Sequence, residues 1–101
     1  MFLIQLVLTP GVLTPFIAKA VVPANSRAFS VLYIQNNGTG EVRTGDSTTS
    51  ATKGILIDPP ATAGKAGGSQ TITPSLAYTS DLTEFYAYSV AGTILDIQVF
   101  D

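Results

Sequence analysis

The side chains that most often carry out chemistry are nearly absent from this sequence. Its 101 residues include no His, no Cys and no Trp, which removes the commonest general base, the thiolate nucleophile and the sulfur ligands of metal sites. Hydroxyl groups are abundant, but a Ser–Lys pair needs a lysine whose pKa is lowered by burial, and the lysines lie in polar surroundings. We therefore expect a protein that is not an enzyme and binds no cofactor.

Two carboxylates, Asp81 and Glu84, are close enough in sequence to suggest acid–base chemistry or a Ca²⁺ site. An acid–base pair requires a cleft that separates the two pKa values, and Ca²⁺ takes about six or more oxygen ligands. No third carboxylate lies nearby in sequence. A capping or turn role is the better interpretation, so we expect no metal site.

Three glycine-containing motifs are weaker than they first look. The glycines of residues 38–40 with Gly45 suggest a phosphate loop, but such a loop opens a helix and here a strand is predicted to follow. Residues 64–65 match only the Gly-Lys of a Walker motif. Residues 37–39 match a glycosylation sequon, although a tight turn explains all three.

Tyrosines provide the one plausible platform for a small ligand. Tyr78, Tyr86 and Tyr88 are close in sequence, and aromatic rings stack on sugars in carbohydrate-binding modules. Tyrosine is equally common in strands and at protein interfaces. The alternative hypothesis is a glycan groove formed by Tyr78 and the loops 47–52 and 61–69.

The composition points to a protein that binds other proteins. Apolar residues make up 46% of the chain and charged residues only 12%, against about 25% charged in average chains. Too few charges remain to cover the surface, so some apolar surface is expected to meet another subunit. The net charge is −2 with no basic run, which argues against binding to nucleic acid or to an anionic membrane.

The N-terminal region resembles a secretory signal but lacks its main features. Residues 2–17 are mostly apolar and residues 18–20 mimic an A-x-A cleavage site. However, the first basic residue is Lys19, and Pro10 and Pro15 would break an apolar helix. We expect neither a cleaved signal peptide nor a transmembrane helix, since no run approaches about 18 apolar residues.

Turn-forming residues divide the chain into about eight apolar segments with strand periodicity. The only helical signal is one turn within residues 76–83, capped by Ser80 or Asp81. We predict an all-β fold, a single small β-sandwich domain over residues 1–101 that is jelly-roll-like and antiparallel. The predicted strands are Phe2–Leu8, 16–22, 27–35, 41–44, Ile55–Ile57, 70–73, 84–90 and 94–100.

Within this pattern some segments are more specific. Residues 27–35 are apolar on both faces, as in a strand that is covered on both sides. Residues 36–40 contain the Asn and Gly of a tight turn and predict a hairpin with 41–44. Residues 94–100 alternate with a period of two, and the Gly- and Ala-rich part of residues 58–69 predicts a flexible loop.

Several of these segments together resemble small bacteriophage virion proteins, over residues 20–101. In those proteins a "VPANxxR" stretch enters an apolar strand, an "IQNNGTG" turn and a "GI-L" strand follow, and a "YA-sxxGTxxIxV" hairpin closes the chain. The corresponding segments here are residues 22–27, 29–34, 35–42, 53–57, 86–93 and 97–99.

The resemblance implies a non-enzymatic component of a phage particle with a β-sandwich fold. The role it fits best is a capsid cement or decoration protein, often a homotrimer, that binds the major capsid protein or another virion protein. Its location would be the virion, assembled in the cytoplasm of the host bacterium. Head-fibre and tail components use similar folds and remain the alternative position.

The first predicted strand, Phe2–Leu8, is apolar on both faces. Such a strand is expected either to be central in its own sheet or to add to the sheet of a neighbouring subunit, so residues 1–22 are predicted to form an intersubunit arm or edge strands. For any single residue, a place in the core of the monomer is equally compatible with the pattern. The predicted contact residues are Phe2, Ile4, Leu6, Tyr86, Tyr88 and Phe100.

Overall fold

The computed structural model describes residues 2–18, 28–73 and 81–100. Within these ranges the prediction of an all-β chain is confirmed, and the one helical element is a short 3-10 turn, Leu82–Glu84. The strands are β1 (Phe2–Leu8), β2 (Thr14–Pro15), β3 (Val31–Asn36), β4 (Val42–Gly45), β5 (Ile55–Ile57), β6 (Ser69–Ile72), β7 (Tyr86–Tyr88) and β8 (Thr93–Phe100).

The strands form two antiparallel four-stranded sheets. The first sheet has the order β1-β8-β3-β6 and the second has the order β2-β7-β4-β5. The pairing is nested: β1 pairs with β8, β2 with β7, β3 with β6 and β4 with β5. The chain therefore resembles one long hairpin whose two arms are rolled together into a sandwich.

The predicted hairpin between residues 27–35 and 41–44 is wrong. β3 and β4 lie in different sheets, so residues 37–41 cross from one sheet to the other. β7 and β8 are separated in the same way, whereas β4 and β5 do pair. Turn residues show that the chain reverses, but they do not show whether the flanking strands pair or face each other across the core.

The core lies between the inner faces of the two sheets. On β8 the side chains at alternate positions are buried, which confirms the predicted period of two. Complete burial of one aliphatic side chain contributes about 1.5–3 kcal/mol, so these residues dominate the stability of the fold. The buried apolar residues are Leu8, Phe16, Phe29, Leu32, Ile34, Val42, Ile57, Leu82, Ala87, Leu95, Ile97 and Val99.

Aromatic side chains fill one end of the sandwich. The Phe85 ring stacks on Phe16, with centroids 5.9 Å apart, and meets Phe29 edge-on at 5.5 Å. The adjacent 3-10 turn is capped by Asp81, whose carboxylate accepts a hydrogen bond from the Thr83 backbone N–H. The predicted capping role of Asp81 is therefore confirmed, although its turn starts later than expected.

One predicted strand differs from the structure, and some predicted residues lie outside the part of the chain that the structure describes. The second strand was expected at residues 16–22, but β2 is Thr14–Pro15 and Phe16 is a core residue. Residues 19–27 and 74–80, which include Tyr78 and Ser80, lie outside the described residues.

Asn36 joins the two sheets through a buried polar network. Its amide nitrogen donates to the carbonyl oxygens of Gly40 (2.8 Å) and Ile57 (3.1 Å). Its Oδ1 accepts from the Gly38 N–H (3.2 Å) and the Thr93 hydroxyl (2.6 Å). Asn36 is fully buried, and every bond links β3 to the crossing segment, to β5 or to β8. A residue expected to start a turn is thus the polar centre of the fold.

The glycines at the end of the predicted flexible loop are tightly packed. The Gly68 N–H donates to the Asp58 carbonyl oxygen (2.8 Å), and the Gly68 carbonyl accepts from the Asn36 N–H (3.0 Å). A Cβ atom at Gly67 would lie only 1.9 Å from the Asn36 carbonyl oxygen. Close approach of two backbones explains these glycines, as it does wherever a side chain has no room.

Candidate functional site

The outer face of the first sheet carries several exposed apolar side chains. On β1, residues Leu6 and Leu8 face the core, because they pair with buried residues of β8. The alternating positions Leu3, Gln5 and Val7 therefore face outward. Leu3 is 67% exposed and Val7 is 69% exposed, so β1 presents two large aliphatic side chains to its surroundings.

The neighbouring strands carry further apolar side chains on the same face, with polar side chains between them. The register places Gln98 of β8 between Leu3 and Tyr33, while Ile94 lies next to Val7. We call the apolar and aromatic side chains on this face the outer patch. The outer patch consists of Leu3, Val7, Val31, Tyr33, Ile94 and Phe100.

A polar row crosses the outer patch near its middle. The Gln5 amide nitrogen donates to Asp96 Oδ1 (3.1 Å), and the Asn37 amide donates to Asp96 Oδ2. Asp96 is the only charged side chain in the four strands of this sheet. The outer face thus offers apolar area with very little electrostatic repulsion toward another protein.

The outer edge of β1 carries unused backbone hydrogen-bonding groups. The Asn37 N–H donates to the Ile94 carbonyl (2.9 Å), so Ile94 and every second residue after it bond toward β3. The residues between them bond toward β1, where their partners are Phe2, Ile4, Leu6 and Leu8. The N–H and C=O groups of the residues at positions 3, 5 and 7 consequently point away from the sheet.

Proteins normally protect such an edge. Short strands, charged side chains, prolines and bulges are the usual devices. The second sheet uses two of them, because β2 has two residues including Pro15 and β5 has three residues. β1 has seven residues with neither a charge nor a proline, which makes it the longest open edge in the described part of the chain.

The residues predicted to make contacts divide among three surfaces. Ile4 and Leu6 lie on the inner side of β1 and pack against the core. Phe2 is on the same side at the end of the strand and is 41% exposed. Phe100 belongs to the outer patch. Leu3 and Val7 were not among the predicted contacts. They face outward because their partners on β8, Gln98 and Ile94, alternate with the buried residues of that strand.

Tyr86 and Tyr88 lie on the outer face of the second sheet. There Tyr88 pairs with Arg43, which also pairs with Leu56 of β5. An open groove of about 450 Å³ lies along this row and is lined by Glu41, Arg43 and Tyr88 among others. Its size falls within the range of small-molecule sites, which is about 300–1,000 Å³.

Arg43, one of the two charged side chains that line the groove, is held in place by hydrogen bonds. Arg43 Nε donates to the Ala51 carbonyl (3.1 Å), and its Nη1 donates to the Gly54 carbonyl (3.0 Å). The loop that supplies these carbonyls starts at Asp46, whose pKa is held below its usual 3.8 by hydrogen bonds from the Thr48 hydroxyl and N–H. The guanidinium is therefore fixed before any ligand arrives.

The structure describes only some of the residues that were predicted to form a glycan groove. Tyr78 lies outside the described residues. Of the two loops expected to form the groove, residues 47–52 contribute Ala51 to the lining, and Pro59 lies just before residues 61–69. Tyr88 is the tyrosine that lines the groove.

The described residues contain no group of three or more acidic, His or Cys side chains arranged to hold a metal ion. Within the same ranges no helix has the length and apolar character needed to cross a membrane.

Comparisons with models of known protein families, with curated proteins and with solved structures found no match.

Proposed function

We propose that this chain is a structural protein of a bacteriophage virion, a cement or decoration protein that stabilises the head through protein–protein contacts. The observation that carries the proposal is the first sheet, whose outer patch and open β1 edge are accompanied by a single charged side chain, Asp96. Its partners would be the major capsid protein or another virion protein, together with further copies of the chain.

The topology supports this proposal by analogy. We infer that the nested pairing of β1 with β8, β2 with β7, β3 with β6 and β4 with β5 is that of a jelly roll. Jelly rolls are found in viral capsid and lectin domains. Because one fold hosts many functions, the analogy favours a virion role but the outer patch supplies the mechanism.

The mechanism is adhesion by burial of apolar surface. Specific protein interfaces bury about 1,600 Å² in total, and each large aliphatic side chain removed from water contributes about 1.5–3 kcal/mol. A capsid lattice repeats the same contact many times, so that modest individual affinities combine into firm attachment. Such a protein needs no titrating or nucleophilic group in its contact surface.

Two exposed valines provide a matched test of this mechanism. Val7 (69% exposed) lies in the outer patch, and Val90 (66% exposed) lines the groove of the second sheet. Purified variants are added to particles that lack the protein, and the fraction of occupied sites is measured. We expect Val7→Glu to reduce this occupancy by about tenfold or more, because binding would bury the unpaired charge of the new glutamate. Val90→Glu should bind like the unmodified protein. Tyr33→Glu, two strands from the edge, should weaken binding as Val7→Glu does.

Two results would contradict the proposal. If Val7→Glu and Tyr33→Glu occupy particles normally, the outer patch is not the contact surface. If only Val90→Glu fails to bind, the second sheet faces the particle and the orientation proposed here is wrong. Circular dichroism of each variant verifies that its fold is retained.

The groove favours a second candidate function, the binding of host glycans by a head-fibre or tail module. Tyr88 offers an aromatic platform, while Arg43 and Glu41 offer a donor and an acceptor for sugar hydroxyl groups. We expect a glycan array to show saturable binding that Tyr88→Ala abolishes and Tyr33→Ala leaves intact. Absence of saturable binding by the unmodified protein would reject this candidate.

A further inference from the structure

We propose that two copies of this chain pair through β1, in an antiparallel register about a two-fold axis at Gln5. The first sheets of both copies would then join into one continuous sheet. The partner of the β1 edge would thus be a second copy of the chain. The proposed function partly rests on the same edge, but the pairing can form without a virus particle.

The alternation of inward- and outward-pointing backbone groups along β1 makes its free edge self-complementary. Leu3, Gln5 and Val7 carry the outward-pointing backbone groups, and they are spaced evenly about Gln5. An axis at Gln5 sets Gln5 opposite itself, and sets Leu3 of each copy opposite Val7 of the other. In each of these opposed pairs both residues exchange N–H···O=C bonds, so that all the outward groups of the three residues are satisfied together.

The side chains on the outer face match in the same register. Leu3 and Val7 are both more than two-thirds exposed in the single chain, and opposed aliphatic pairs stabilise antiparallel strands. At the axis, Gln5 uses one amide hydrogen for Asp96. The second amide hydrogen and Oε1 remain for the facing Gln5 amide of the second copy.

Charge does not oppose this approach, although the chain is net negative. Residues Phe2–Leu8 contain no charged side chain, and within the four strands of this sheet the one charged side chain is Asp96 of β8. In the paired sheet the two Asp96 carboxylates are three strand spacings apart, or about 14 Å. That separation exceeds the Debye length of about 8 Å at physiological ionic strength.

The other open edge of the same sheet is a poorer partner. β6 has four residues against seven in β1, so a head-to-tail contact between β1 and β6 would form fewer backbone bonds than β1 with itself. Pairing through β1 also places two outer patches on one continuous surface. A surface that meets a lattice twice gains avidity without any new type of contact.

Charge variants at the same two positions test the register. The mass of the purified protein is measured by analytical ultracentrifugation over a concentration series. We expect a dimer for the unmodified chain and a dimer dissociation constant raised at least about tenfold for Leu3→Lys/Val7→Lys, in which like charges oppose. Leu3→Lys/Val7→Glu should restore the dimer, because each new lysine then faces a new glutamate of the second copy.

Engineered cysteines provide a second test in a chain that has none of its own. Leu3→Cys and Val7→Cys are oxidised separately and as a mixture. Opposed residues in a hydrogen-bonded antiparallel pair lie about 5.5 Å apart at Cα, within disulfide range. The mixture should therefore form a disulfide between the two variants, and neither variant should cross-link with itself.

Three outcomes would overturn the pairing: a monomer throughout the series, a trimer, or a disulfide that either cysteine variant forms alone. Because no particle is present, failure here is distinguishable from failure of the proposed function. A dimer that does not bind particles would reject the virion role and leave the pairing standing. Particle binding by a strict monomer would reject the pairing and leave the virion role standing.

Discussion

Replacing Asn36 by leucine should lower the free energy of unfolding by about 4 kcal/mol. The buried amide satisfies the carbonyls of Gly40 and Ile57, the N–H of Gly38 and the hydroxyl of Thr93. Leucine has a similar size but bonds to none of them. Each buried group left without a partner costs about 1–3 kcal/mol, and members of one network act together.

The adjacent asparagine is the natural control for this substitution. Asn37 is exposed and its amide donates to Asp96 at the surface, where loss of one bond usually costs less than about 1 kcal/mol. Urea denaturation of Asn36→Leu and Asn37→Leu measures both changes. An Asn36→Leu variant as stable as Asn37→Leu would show that the polar network does not hold the sheets together.

The second large effect is expected at Gly67, where alanine should cost about 3 kcal/mol. The added Cβ would lie 1.9 Å from the Asn36 carbonyl oxygen and 2.9 Å from Pro60 Cδ. The first of these atoms is backbone of β3, so the clash is relieved only by displacing a central strand, and forced packing of this kind is costly.

Gly64 supplies the comparison within the same glycine-rich segment. Its φ of +81° disfavours alanine, but nothing lies within 4 Å of the added Cβ, so Gly64→Ala should cost only about 1 kcal/mol. Thermal unfolding compares the two variants. Equal stabilities would mean that the segment is loosely attached and that Gly67 is not pressed against β3.

The strands could be predicted wherever one local pattern determined them. Alternation in residues 94–100 predicted β8, and turn residues on both sides isolated Ile55–Ile57 as β5. The pairing of the strands could not be predicted in the same way, because residues 37–41 look alike whether they close a hairpin or cross between sheets. Asn36 was for that reason assigned to a turn, and its burial became evident only from the facing strand β5.

The presence of exposed apolar side chains could be predicted from the sequence, but their positions could not. The low charge and the apolar first strand indicated an adhesive surface, and residues 27–35 were expected to be covered on both sides. In the structure, Leu32 and Ile34 are covered by the core, whereas Tyr33 remains exposed. The choice between Leu3 and Ile4 as the outward residue depends on the register with β8, which local sequence does not contain.

The proposed virion role is tested most directly by electron microscopy of intact phage particles whose genome contains the coding sequence of this chain. We expect density for the chain on the outside of the head, with the outer patch of the first sheet against a neighbouring protein and the groove of the second sheet turned away from it. Particles in which the chain is confined to the tail, or in which Leu3, Val7 and Tyr33 face solvent, would contradict this account.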